Sequence, residues 1–418
     1  MVEGPEIPPE PESTFAAELA TGEKLGWLRS LAVPVLAVVT ALAIGAVLII
    51  LTDEDAVREW AGFFREPGEA LSASWVAIRD SYQALLTGAI GHPTEIASAI
   101  GSGDLDQIRS TFSPLSETIV SATPLIFVGL SVALGFRAGL FNIGAEGQMN
   151  AAGMAGAAAG ISVTELPGPL QLILVVVAAF AGGMAWGAIP GFLKAKTGAH
   201  EVITTIMLNF IAVSLLLFLL STDYYGQQAE PISKPIGASF PHLAGPSLRV
   251  HVGILLAIAT AVAVAWLLKR STIGFEFRAV GANPEAARAA GMHPARTTVV
   301  VMALAGGLAG LAGANQLASI APSLFPAFAS GLGFTGIAIA LLGRATPGGV
   351  VAAAFLFGAL RTGGRSMQVV TQTPIDIIVV IQALVIVFVA APALVRAIFR
   401  IKARRVAGPE AFAKGWGA

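Results

Sequence analysis

The stretch ETIVSATPLIFVGLSVALGFRAGLFNIGAEGQMNAAGMAGAAAGIS, residues 117–162, decides what kind of molecule this is. A helix needs about 20 mainly apolar residues to cross a bilayer. Residues 117–136 supply one such run, Arg137 closes it, and 141–162 supply a second. Gly153, Gly156 and Gly160 recur at the small-residue spacing that lets helices approach closely in lipid. Asn142, Glu146, Gln148 and Asn150 are set in or beside this second run. An ionisable residue there is costly and points to function. The alternative is that Glu146 lies near the cytoplasmic interface and pairs with Arg137.

Working outward, apolar runs recur along the chain. Candidate spans are 30–51, 117–136, 141–162, 169–193, 201–221, 250–268, 297–319, 332–343, 347–363 and 375–398. The expected fold is therefore an all-α, polytopic transmembrane helix bundle of about ten spans. Composition agrees: 55% of the 418 residues are hydrophobic and 12% charged, with a mean hydropathy of +0.76. Soluble domains carry about 25% charged residues. The net charge of −1 and the absence of a basic stripe give no sign of nucleic acid. With no cysteine, disulfides, thiolate metal sites and a cysteine nucleophile are excluded. His92, His200, His242, His251 and His293 lack metal-ligand spacing, so no metal site, catalytic residue or cofactor is expected.

Lys and Arg orient the spans. With the N-terminus in the cytoplasm, 17 of the 25 fall inside and 8 outside, and four of the 8 lie in the long 52–116 segment. The asymmetry supports ten spans with both termini cytoplasmic. Residues 1–29 read as a disordered tail, acidic and Pro-rich, and 401–418 as a second cytoplasmic tail. The first run, 30–51, is too long for a signal-peptide core and reads as an uncleaved span. In the external segment 52–116, Trp75, Ile78, Tyr82, Leu85 and Leu86 have helical spacing. That helix either lies on the outer face of the membrane or packs on the bundle.

Three further features bear on function. The cytoplasmic loop 269–296 holds RAVGANPEAARAAGMHPARTT, residues 278–298. Asn283 is a good N-cap, Pro284 suits the first helical position, and Glu285 suits the helix dipole. Gly291 supplies a C′ position and Pro294 a stop. The result is a two-turn helix, smooth with Ala286, Ala287, Ala289 and Ala290, suited to a groove on another protein. The alternative is a plain connector, although connectors are usually a few residues long. GLGFTGIAIALLGRATPGG, residues 331–349, allows a re-entrant or broken helix of the kind that lines transporter pathways. Polar residues also mark later spans: His200, Glu201, Thr204, Thr205 and Asn209, then Asn315 and Gln316. They suit a hydroxyl-rich solute, and equally suit interhelical hydrogen bonds.

Together, ATPLIFVGLSVALGFRAGLFNIGAEGQMNAAG, EVITTIMLNFIA, GANPEAARAAGM and GFTGIAIALLGRATPGG resemble the permease subunits of bacterial ABC importers of the branched-chain amino acid and simple-sugar class. Within that class the chain is similar to nucleoside-type permeases. The resemblance covers about residues 114–400, with a permease core over 117–400. It implies a permease in the bacterial inner membrane that passes a nucleoside, or a ribose-like sugar, with a separate ATPase subunit, a second homologous permease and a substrate-binding lipoprotein as partners. It places the solute path along Asn142, Glu146, Gln148, Asn150, Asn209 and Asn315. It assigns coupling to Asn283, Pro284, Glu285, Ala286, Ala287 and Gly291, which fit E-A-A-x-x-x-G at Glu285 to Gly291. The chain has no G-x-x-x-x-G-K-[ST] phosphate loop. Two rivals are an ion-coupled secondary transporter, separated by ATP dependence of uptake, and an intramembrane enzyme, separated by turnover of the isolated chain.

Overall fold

The structure is a computed structural model that describes residues 35–227, 230–245 and 247–391, with 395, 398 and 399 beyond them. The two expected tails, 1–29 and 401–418, lie outside the described residues. Helix α1 spans Val35–Thr52. Four helices follow: α2 (Glu54–Ala61), α3 (Pro67–Ile90), α4 (Pro93–Ser102) and α5 (Leu105–Thr111). Then come α6 (Ser113–Arg137), α7 (Ala145–Ser162), α8 (Gly168–Thr197) and α9 (Glu201–Leu220). A two-stranded antiparallel ribbon, β1 (Gly226–Gln227) and β2 (Glu230–Ser233), precedes α10 (Gly253–Arg270). After it stand α11 (Thr272–Ala282), α12 (Pro284–Ala289) and α13 (Pro294–Asn315), which runs on into a π-helical turn, Gln316–Ile320. Last are α14 (Leu332–Leu342), α15 (Pro347–Thr371) and α16 (Asp376–Ala390).

Every apolar segment read from the sequence falls on one of these helices. Among the described residues, six helices are long and apolar enough to cross a membrane: α1, α6, α8, α9, α10, and α13 with its π turn. Helices α14 and α16 are apolar but shorter. The broken helix expected over 331–349 is two helices, since α14 ends at Leu342 and α15 begins at Pro347.

Burial runs opposite to that of a soluble bundle. Helix α9 turns Glu201, Thr205, Asn209, Ala212, Leu216 and Leu220 inward, and leaves Ile203, Met207, Phe210, Ile211, Leu217 and Phe218 exposed. Lipid tails are as apolar as leucine, so large side chains face out and small or polar ones face partners. Helix α6 is buried on nearly all sides at the centre of the bundle, as are most of α7 and residues 305–315 of α13. The tightest crossing joins α8 and α13. Gly183, Gly187 and Gly191 on α8, four residues apart, meet Gly306 and Gly310 on α13 and the backbone of Thr298–Met302. A Cβ at any of them would strike backbone or a buried side chain of the facing helix.

The 52–116 segment folds onto the bundle, which answers the choice left by the sequence. Helix α3 packs along α15 through small residues: Gly88 sits on Gly363 and Ser366, and Gly363 on Leu85. Ser74, Ala77, Ser81 and Ala84 are buried, whereas Leu71, Trp75, Leu86 and Ile90 are more than half exposed. The packed face is thus the small-residue stripe rather than the aromatic one. The Tyr82 hydroxyl donates to the carbonyl of Leu42 and ties α3 to α1.

Candidate functional site

The start of α7 gathers four of the six residues expected along the solute path. Asn142 and Gln148 exchange a reciprocal amide pair, with Nδ2 donating to Oε1 at 3.0 Å and Nε2 donating to Oδ1 at 3.1 Å. Asn142 Oδ1 also accepts from the Gly144 amide, and Nδ2 reaches Ser131 on α6. Asn209 on α9 accepts from the Gly147 amide at 2.8 Å and donates to the Ile143 carbonyl at 3.0 Å. The side chains of Ser131, Asn142, Gln148 and Asn209 are all buried. A break between helices leaves amides and carbonyls without intrahelical partners, and this network satisfies the Gly144 and Gly147 amides and the Ile143 carbonyl. These three amides therefore hold the turn that starts α7.

Glu146 does something different. Its two carboxylate oxygens accept from the Gly331 and Gly333 amides, each at 2.8 Å. Those amides are the unsatisfied donors at the N-terminus of α14, whose N-cap, Gly331, has no side chain to serve them. A carboxylate here also complements the positive end of the helix. Contact is close: a Cβ on Gly333 would strike the Glu146 amide. Arg137 serves the opposite end of α14. Its guanidinium donates to the carbonyls of Ala345 at 2.8 Å and Arg344 at 3.5 Å. The pairing of Glu146 with Arg137 that the sequence allowed is thus replaced by a clamp, with Glu146 at the head of an 11-residue helix and Arg137 on the turn that follows its last residue. The flanks carry backbone strain: Ser330, Arg344 and Ala345 have φ of 48°, 53° and 48° without being glycine. Such residues persist only where surrounding contacts hold them, and they cluster at switch regions.

Asn150 and Asn315 stand apart from this network. Both are buried, and the side-chain carbonyl of each has no hydrogen-bond partner among the described residues. Asn315 Nδ2 makes one long bond, 3.5 Å, to Ser319. The structure therefore separates the six residues into three that hold a turn, one that holds a helix, and two with free acceptors. Among the described residues no group of three or more metal-ligating side chains comes together.

The loop 269–296 contains two helices where the sequence suggested one. Ser271 caps α11 through the Gly274 amide, and Asn283 Oδ1 caps α12 by accepting from Glu285 and Ala286 at 2.9 and 3.0 Å. Pro284 opens α12, and Gly291 takes φ of 86° just beyond it. The Met292 amide returns to the Ala287 carbonyl at 3.0 Å and closes the C-terminal turn. Ala287 is buried, so of the four alanines only Ala286, Ala289 and Ala290 face outward. At the end of α11, Gly281 rests directly on the backbone of Arg137–Gly139: a Cβ there would lie 2.6 Å from the Ala138 carbonyl carbon. The loop thus bears on the residue that clamps α14.

Sequence reasoning missed Gly139 and Gly281 and gave Arg137 the wrong partner, because a glycine-on-glycine contact and a guanidinium on backbone carbonyls leave no trace in spacing. It also passed over Gly183, Gly187 and Gly191 on α8, whose four-residue repeat is a signal that could have found them.

The chain matches the family model described as branched-chain amino acid transport system / permease component over residues 115–390. It is 34% identical over 377 residues to a guanosine ABC transporter permease protein of Bacillus subtilis, covering 88% of this chain and 95% of that one. A glucose ABC transporter permease protein of Haloferax volcanii is 34% identical over 399 residues, covering 92% and 90%. A nucleoside ABC transporter permease protein of Lactococcus lactis is 35% identical over 337 residues, covering 78% and 89%. No solved structure matches.

Proposed function

We propose that this chain, which belongs to the permease-component family of branched-chain amino acid transport systems, forms the translocation path of an ATP-driven importer for nucleosides. It is a multi-pass membrane protein of that family. In this reading it has no catalytic activity of its own. A separate ATPase hydrolyses ATP, a second homologous permease completes the pore, and a substrate-binding lipoprotein delivers solute. It sits in the bacterial inner membrane with ten spans and both termini cytoplasmic, α7, α14, α15 and α16 completing the count.

The observation that carries the reading is the chain of contacts from α12 to α14. A preformed, doubly capped helix with small exposed side chains leads through Gly281 and Gly139 to Arg137, and Arg137 holds α14. That arrangement suits a partner pushing on the loop from the cytoplasm. Helices of two turns are not stable alone in water, so the capping of α12 suits one that must be formed when the partner arrives. An ion-coupled transporter would want a carboxylate free to bind its ion, and both oxygens of Glu146 are engaged.

Three experiments test the reading. Unlabelled nucleosides are expected to compete strongly with labelled uridine for uptake, and leucine not at all. Because a relative of equal identity is named for glucose, competition by glucose or ribose with none by nucleosides would move the assignment to sugars.

Docking is tested at exposed α12 positions. Ala286→Glu and Ala289→Glu leave the buried Ala287 in place, and both are expected to reduce co-purification of the ATPase while membrane insertion is kept. Gly291→Val should do the same through strain, since φ of 86° is disfavoured for a β-branched residue. Variants that bind the ATPase and transport at the wild-type rate would make α12 a plain connector.

Topology is tested by single cysteines. Ser233 is fully buried and unsuited to labelling, whereas Glu230 and Ala289 are exposed. An impermeant reagent from outside is expected to label Glu230→Cys and spare Ala289→Cys, and the reverse pattern ends the orientation.

A further inference from the structure

We propose that His251, Asn315 and Gln316 form a polar subsite that binds a vicinal diol of the solute, a role that rests on the importer reading above and names what this end of the path recognises. The three side chains come from two places in the chain and are nearly sealed from solvent, at 3%, 0% and 6% exposure. Each has one buried polar atom without a hydrogen-bond partner among the described residues: His251 Nε2, Asn315 Oδ1 and Gln316 Oε1. Buried polar atoms are nearly always satisfied in native proteins, and leaving one unmade is costly. Two of the three residues, His251 and Asn315, meet at Gly253, and Gln316 follows Asn315 in the chain; atoms so placed call for an occupant that supplies the missing bonds.

The proximity of His251 and Asn315 is fixed by Gly253, the first residue of α10. A Cβ built there would lie 2.6 Å from the His251 ring and 2.7 Å from Asn315 Nδ2, so both side chains border the same small space. Asn315 and Gln316 are adjacent where α13 gives way to its π turn, closed by the Ala321 amide on the Gln316 carbonyl at 3.0 Å. Single π turns inside α-helices occur frequently at functional sites. The segment 233–240 lies alongside this turn, its amides at Ser233, Ile236 and Phe240 donating to the carbonyls of Leu324, Pro322 and Ala318. Phe240 stacks on the His251 ring at 5.6 Å between centroids and gives the site an apolar wall.

The chemistry of the three atoms selects the ligand. His251 Nδ1 accepts from the Gly253 amide at 3.1 Å, so the imidazole is neutral and its proton is on Nε2. The site therefore offers one donor and two carbonyl acceptors. A carboxylate or phosphate would face two carbonyl oxygens and be rejected, and a purely apolar group would leave all three unmade. Two adjacent hydroxyls fit: each donates to one carbonyl, and one of them accepts from Nε2. Ribose carries such a pair.

The test is the ratio of uptake of a ribonucleoside to its 2′,3′-dideoxy counterpart, measured in cells holding the complete importer with the wild-type chain, Asn315→Leu or Gln316→Met. A ratio is independent of expression level, and a merely structural role would not move it. The wild type is expected to favour the ribonucleoside by about tenfold or more, the scale of a lost hydrogen bond in a buried site. In either variant the ratio is expected to fall toward one. A wild-type ratio near one, or a high ratio unchanged in variants that still transport, overturns the diol site and leaves the nucleoside reading standing. If no nucleoside is taken up, the nucleoside reading fails, and the diol site that rests on it falls with it. Gln316→Met is close to isosteric and keeps the test open should Asn315→Leu fail to insert.

Discussion

Glu146→Leu is expected to abolish transport while leaving the protein inserted in the membrane. The leucine is similar in size but accepts nothing, so the Gly331 and Gly333 amides at the head of α14 lose both partners. A buried donor left unmade costs about 1–3 kcal/mol, and these two, partly buried, lie at one end of an 11-residue helix. The strained residues on its flanks, Ser330 before and Arg344 and Ala345 after, have reason to relax once one end is freed. Uptake should fall by about two orders of magnitude, the equivalent of about 3 kcal/mol. Glu146→Gln keeps one carbonyl oxygen and should lie between. The measurement is initial uptake normalised to the amount of protein in the membrane. Wild-type uptake by Glu146→Leu would mean that α14 keeps its place without the carboxylate, and the clamp would then have no functional weight.

The second large effect falls on stability rather than transport. At Gly306 a new Cβ would meet the Gly183 carbonyl oxygen, and lie 2.9 Å from the Gly187 Cα. Both obstacles are backbone, so no rotamer change can relieve them. Overpacking against movable side chains costs about 1–3 kcal/mol, and here two helices must separate instead. Separation also undoes the neighbouring contacts of Gly310 with Ala179 and Gly191 with Val299, because all lie on one crossing. Gly306→Leu is therefore expected to eliminate monodisperse protein on size exclusion in detergent, with its melting transition lost. Gly101→Leu serves as the control, since nothing lies within 4 Å of its Cβ position and behaviour should be that of the wild type. A folded, stable Gly306→Leu protein would show that the α8–α13 crossing is wider than described.

What the sequence determined by itself was everything that depends on one segment at a time. Span length and charge bias are sums over a local window, so the apolar segments and the helical class were readable. The caps of α12 were readable too, because Asn283, Pro284 and Gly291 act within a few residues of themselves. So was the break between α14 and α15, where glycine and Pro347 forbid continuation. The number of crossings was less legible, since α14 is too short to span by itself and α7 is rich in glycine and alanine rather than in large apolar residues.

Only the tertiary structure decided what the polar residues do. Asn142, Gln148 and Asn209 read alike as polar intrusions in apolar helices, yet they face a broken turn whose backbone they complete. Asn150 and Asn315 read the same way and keep free carbonyls. Asn142 and Gln148 find their partners within 11 residues, but Asn209 meets backbone 62 and 66 residues away, and composition carries no term for that. Glu146 makes the point most sharply. Its partners are 185 and 187 residues away and are backbone amides, so no residue type at those positions could have announced them. The same holds for Arg137, whose acceptors are carbonyls that every residue possesses. Side chains that bond to backbone are specified by geometry, and geometry at that distance is set by how small-residue faces such as that of α8 on α13 let the helices close.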